Sequence, residues 1–212
     1  MPTPINPDAQ RISVACLVLE AFAVLASAQT VYVRSGMDVA TISDITPGVW
    51  EDSSNKGLNA GLGLVFGRVD LGLSWSQKGT SLTYETQTVA VNVRNLEISS
   101  LYRFGVSTEG PLGFHFVVGP TFGYQAQCNT SWTVSGASLD EGDDCADVGL
   151  LFRSDWGATG GAGVDIATGS MKLALDLLYY RGFRDISAST TNPTDNFNRS
   201  WTVRVGVGFP LR

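Results

Sequence analysis

The residues able to do chemistry are few, and their spacing decides how much they can do. His115 is the single histidine of the 212-residue chain. As a general base it would need a nucleophile within reach and a carboxylate to orient it. The residues that follow, Phe116 and Val117, supply no serine, so a hydrogen-bonded structural histidine is expected and no catalytic site. Cys128 and Cys145, with sixteen residues between them in one polar segment, suit a loop-closing disulfide in an oxidising compartment. Neither lies at a metal-ligand spacing. Asp140, Glu141, Asp143, Asp144 and Asp147 crowd the same segment. Their spacing departs from that of an EF-hand loop, and acidic surface loops are normally solvated. No metal or cofactor site is expected from these groups.

Composition narrows the classes further. Hydrophobic residues make up 43% of the chain and charged residues 16%, too apolar for a disordered segment. A formal net charge of -6 argues against a nucleic-acid partner, which calls for a basic face. The 24 glycines are well above the usual share of about 7%. No uninterrupted apolar run approaches the ~18 residues of a membrane-spanning helix. Residues 12–28, ISVACLVLEAFAVLASA, follow Arg11 and end in Ala26-Ser27-Ala28, the A-x-A form of an export cleavage site. The expectation is a signal peptide over 1–28 and a mature exported domain over 29–212.

Within 29–212 the dominant signal is period two, the mark of strands with unlike faces. Eight such segments follow one another. One face carries Val33 and Met37, Leu62 and Leu64, Leu71 and Leu73, Leu96 and Ile98, Phe114 and Phe116, Ala162 and Val164, Leu173 and Leu175, and Val203 and Val205. The other carries Gly, Ser, Thr, Asn and charges. Connections alternate between short (67–68, 105–111, 167–170) and long (42–56, 79–92, 126–151, 184–198). In a water-soluble barrel the large apolar residues would fill the inside, but here the opposite face is too small to pack an oily core. The predicted fold is an all-β, eight-stranded antiparallel up-and-down transmembrane barrel, apolar face to lipid, with short periplasmic turns and long external loops.

That reading turns the polar face inward and gives its charges a role. Arg34, Lys78, Arg103, Lys172 and Arg204 stand against Asp38, Asp70, Glu97, Asp155, Asp165 and Asp176. Near balance favours an interior charge network, since a buried charge needs a partner. Trp75, Tyr102, Phe104, Trp156, Tyr179, Trp201 and Phe209 fall near strand ends, as interfacial aromatic girdles would. Eight strands enclose a space about wide enough for side chains to fill, which disfavours an open pore.

Several segments then gain a common meaning. Leu73-Ser-Trp-Ser-Gln-Lys-Gly79, Asn95-Leu-Glu-Ile98, Gly119-Pro120, Gly161-Ala-Gly-Val-Asp165 and Tyr179-Tyr-Arg-Gly-Phe183 resemble, in order, the eight-stranded barrel domain of bacterial porin-family outer-membrane proteins. The resemblance spans essentially all of 29–212 and implies an outer-membrane location without an assigned catalytic activity. The expected role is structural or surface-interactive, with a polar, largely plugged interior; the alternative is a narrow channel for ions or small solutes. Expected partners are outer-membrane lipid, lipopolysaccharide and an external ligand or surface partner, with no nucleic acid and a monomeric state.

Overall fold

The computed structural model describes residues 29–42, 51–84, 87–107, 111–134, 137–141, 153–184 and 197–211. Segment 1–28, Cys145 and most of the acidic cluster lie outside them. The described strands are β1 (Thr30–Ile42), β2 (Glu51–Phe66), β3 (Val69–Tyr84), β4 (Gln87–Ser107), β5 (Leu112–Val134), β6 (Ala137–Glu141), β7 (Ser154–Thr168), β8 (Met171–Gly182) and β9 (Asn198–Pro210). Each pairs antiparallel with its neighbour, and β1 pairs with β9, so eight of them close a ring. The ninth, β6, adds to the far end of β5.

Closure carries a stagger. Partners run from Val31 through Leu64, Leu71 and Ser100, then from Pro120 through Ala158, Arg181 and Arg199 back to Thr41, ten residues above the start. Such a stagger sets strand tilt and barrel width together. At one end the connections are tight: Gly67-Arg68 joins β2 to β3, and Gly169-Ser170 joins β7 to β8. Both glycines take φ near +55°, which a side chain would resist. We call this the turn end and the opposite one the loop end.

The strands outrun the sequence expectation at the loop end. Within residues 79–92, read above as a long connection, the described residues 79–84 and 87–92 are strand, and β5 runs on to Val134. β2 likewise begins at Glu51, inside the connection read as 42–56. The outward face turns polar there, at Gln77, Asn92 and Arg94, and the apolar positions Val91 and Val93 share the inward parity of Lys78. The lipid-facing pattern therefore stops while the backbone ladder continues from Lys78↔Val93 to Tyr84↔Gln87.

Along all eight ring strands most of the large apolar side chains point away from the barrel axis. Val33, Leu62, Ile98, Phe116, Leu175, Leu177 and Val203 are each about half exposed or more. A continuous apolar band of that size far exceeds what a water-soluble monomer shows. Lipid is the solvent that makes it favourable.

Candidate functional site

The inward residues form two polar layers. Toward the turn end, Arg34 on β1 grips Asp70 on β3 with its two terminal guanidinium nitrogens, at 2.8 and 2.5 Å. Arg204 on β9 donates to Asp176 Oδ2 at 3.0 and 2.8 Å. Asp176 Oδ1 meets His115 Nε2 at 2.9 Å, and His115 Nδ1 lies 2.9 Å from Arg103. Arg103 in turn pairs with Asp165. Arginine can only donate, so its contact suits a lone pair on Nδ1 and a proton on Nε2 aimed at Asp176. Both ring nitrogens are therefore engaged by charged side chains.

Toward the loop end, Lys78 pairs with Glu97 and lies 4.7 Å from the centre of the Tyr180 ring. The Tyr180 hydroxyl donates to Asp155 at 2.8 Å, and Asn198 donates to the same oxygen at 3.3 Å. Asp38 is fully buried, yet among the described residues no cation pairs with it. It accepts from Asn59 at 3.1 Å, from Ser76 at 2.7 Å and from Thr202. Three neutral donors can satisfy a buried carboxylate as an ion pair does. Of the inward charges named from sequence, Lys172 joins none of these contacts.

Between the layers lie the Thr121–Thr159 hydroxyl pair at 2.7 Å and a buried apolar cluster of Leu101, Val117 and Leu178. A cavity of about 40 Å³ remains, bounded by Lys78, Glu97, Ser99, Leu178, Thr202 and Arg204. Sequence reasoning missed the apolar cluster, although parity alone puts all three side chains on the inner face. It also missed Asn59, Ser76, Thr202 and Tyr180 as the partners of Asp38 and Asp155.

Two glycines show why the inner face is so rich in them. A Cβ at Gly63 would sit 2.3 Å from Arg34 Nη1, and one at Gly163 would sit 2.4 Å from Asp176 Oδ1. The charged side chains lie across neighbouring backbone, and only glycine leaves them room.

The outer surface carries two aromatic zones. Trp75, Trp156, Tyr179 and Trp201 lie toward the loop end; Tyr102, Phe104 and Phe209 lie toward the turn end. Phe183 and Tyr124 add to the first zone. Rings pair within the zones: Tyr179 with Trp201 at 4.8 Å, Trp156 with Phe183 at 5.4 Å, and Tyr102 with Phe104 at 4.7 Å. Cys128 is buried on β5; its expected partner Cys145 lies outside the described residues. Among the described residues no group of three or more His, Cys, Asp or Glu is placed to hold a metal ion.

No curated protein matches the chain. Among solved structures, Neisserial surface protein A is similar at 15% identity and a TM-score of 0.49, covering 85% of this chain and 97% of that one. Ail, the attachment invasion locus protein of Yersinia pestis solved with a heparin analogue, is similar at 12% identity and a TM-score of 0.44, covering 85% and 98%. The outer membrane enzyme PagL follows at 13% identity and a TM-score of 0.31, covering 86% and 99%. Residues 29–188 match the family described as the outer membrane protein beta-barrel domain, and to that family the chain belongs.

Proposed function

We propose that this outer-membrane barrel is closed to solutes and serves as a rigid, non-catalytic scaffold that presents its loop end outside the cell. The filled interior carries the reading. Two charge layers and the Leu101–Val117–Leu178 cluster cross the bore, and the cavity described between them, of about 40 Å³, has room for a water or two. His115 supports the non-catalytic part: both its nitrogens are committed to Arg103 and Asp176, so no hydroxyl nucleophile is activated there. Export after removal of 1–28, a Cys128–Cys145 bridge in the third external segment and a monomeric state complete the proposal.

The test is flux of ions and small sugars through liposomes carrying the folded protein. Flux equal to that of empty liposomes is expected. Flux that rises when Arg103→Gln or Glu97→Gln is introduced alone would favour a gated narrow channel instead.

A further inference from the structure

The outward face changes character at one level on four adjacent strands. On β2 it passes from Leu58 to Lys56, and on β3 from Trp75 to Gln77. On β4 it passes from Leu96 to Arg94 and Asn92, and on β5 from Tyr124 to Gln127 and Asn129. Gln77 faces Arg94, which faces Gln127, and Asn92 faces Asn129 across the same ladders. A bulge between Arg94 and Asn95 keeps Gln127 and Asn129 on this face. Gly57 and Gly79 contribute no side chain, and the result is a polar trough of about 200 Å³ directly above the lipid-facing band.

Its chemistry is one-sided. Lys56 and Arg94 bring two positive charges, and four amide side chains bring both donors and acceptors. Arg94 donates to Gln127 Oε1 at 2.6 Å, which fixes the guanidinium while leaving its other N–H groups to a ligand. Among the described residues no carboxylate pairs with either cation. Carboxamides suit sugar hydroxyls, a cation fork suits phosphate, and the position is that of a membrane headgroup.

We propose that this trough binds the phosphorylated saccharide headgroup of an outer-leaflet lipid. The inference rests on the loop end facing outward, as proposed above, and names a partner for that end.

The test uses protein purified from membranes in mild detergent, with Arg181 and Arg199 changed to Gln. These two face each other across β8 and β9 on the far side of the ring and would otherwise attract anions of their own. Lipid retention is read by native mass spectrometry for lipid A and for its dephosphorylated form. Retention of the phosphorylated form is expected to exceed the other by about tenfold or more. Lys56→Gln with Arg94→Gln should abolish the preference, and Arg94→Lys should keep most of it. A heat-dependent gel shift checks that each variant is folded. A preference that survives the double change, or equal retention of both lipids, overturns the proposal. Displacement by millimolar inorganic phosphate would assign the trough to free phosphate and also overturn it. Neither result bears on the closed interior, which the flux experiment tests separately.

Discussion

At the scale of single residues the interior sets an energetic problem that Arg34 and Asp70 illustrate. Their side chains are 3% and 2% exposed, so each charge has lost nearly all its water. Breaking such a pair from one side leaves an uncompensated buried charge, at a cost of about 3–5 kcal/mol, whereas replacing both partners is often neutral. Asp70→Leu should therefore lower unfolding stability by that amount in a urea titration. Asp70→Leu combined with Arg34→Met should recover most of it. A double variant as unstable as the single one would show that the pair itself, and not the avoidance of a lone charge, holds the layer together. Parity was enough to place these charges inside. It could not foresee that Asp38 is held by Asn59, Ser76 and Thr202, because those partners come from three strands and their meeting depends on register.

At the scale of the element, each strand is two surfaces in two solvents, and depth along the strand is measurable. Leu177 lies midway along β8, between Ala162 and Val203 on the flanking strands, and Leu58 lies next to the polar trough on β2. Leu177→Arg should cost about 2–4 kcal/mol and Leu58→Arg about 0–1 kcal/mol, as for cations at the midplane and near the interface. Folding titrations into vesicles give both values. Equal costs would mean that the apolar band is not centred on lipid. The eight ring strands were legible because lipid on one side and packed polar groups on the other produce an uninterrupted alternation. Legibility ended where that contrast ended. Along Gln87–Val93 and Ala126–Val134 the outward face carries Asn92, Gln127 and Asn129 in place of large apolar residues, while the ladder hydrogen bonds run on. The short β6 has no alternation of its own to read.

At the scale of the whole molecule, the closed barrel proposed above is a tube with two seals in series. One is the Arg103–Asp165 and His115–Asp176–Arg204 layer toward the turn end, the other the Lys78–Glu97 and Tyr180–Asp155 layer toward the loop end. The apolar cluster and the Thr121–Thr159 pair lie between them. Seals in series do not add their leaks: either one alone holds the tube shut. Removing the charges of one layer together, as Lys78→Ser, Glu97→Ser and Asp155→Ser or as Arg103→Ser, Asp165→Ser, Asp176→Ser and Arg204→Ser, leaves none of that layer's charges without its partner and should leave ion flux at the level of empty liposomes. Opening both layers in one protein should raise flux well above that level, since the ring of backbone hydrogen bonds does not depend on the network. Conduction by either single-layer variant equal to that of the combined one would assign the whole barrier to that layer. The interior would then be a gate with a single leaf, and the scaffold reading would yield to the channel.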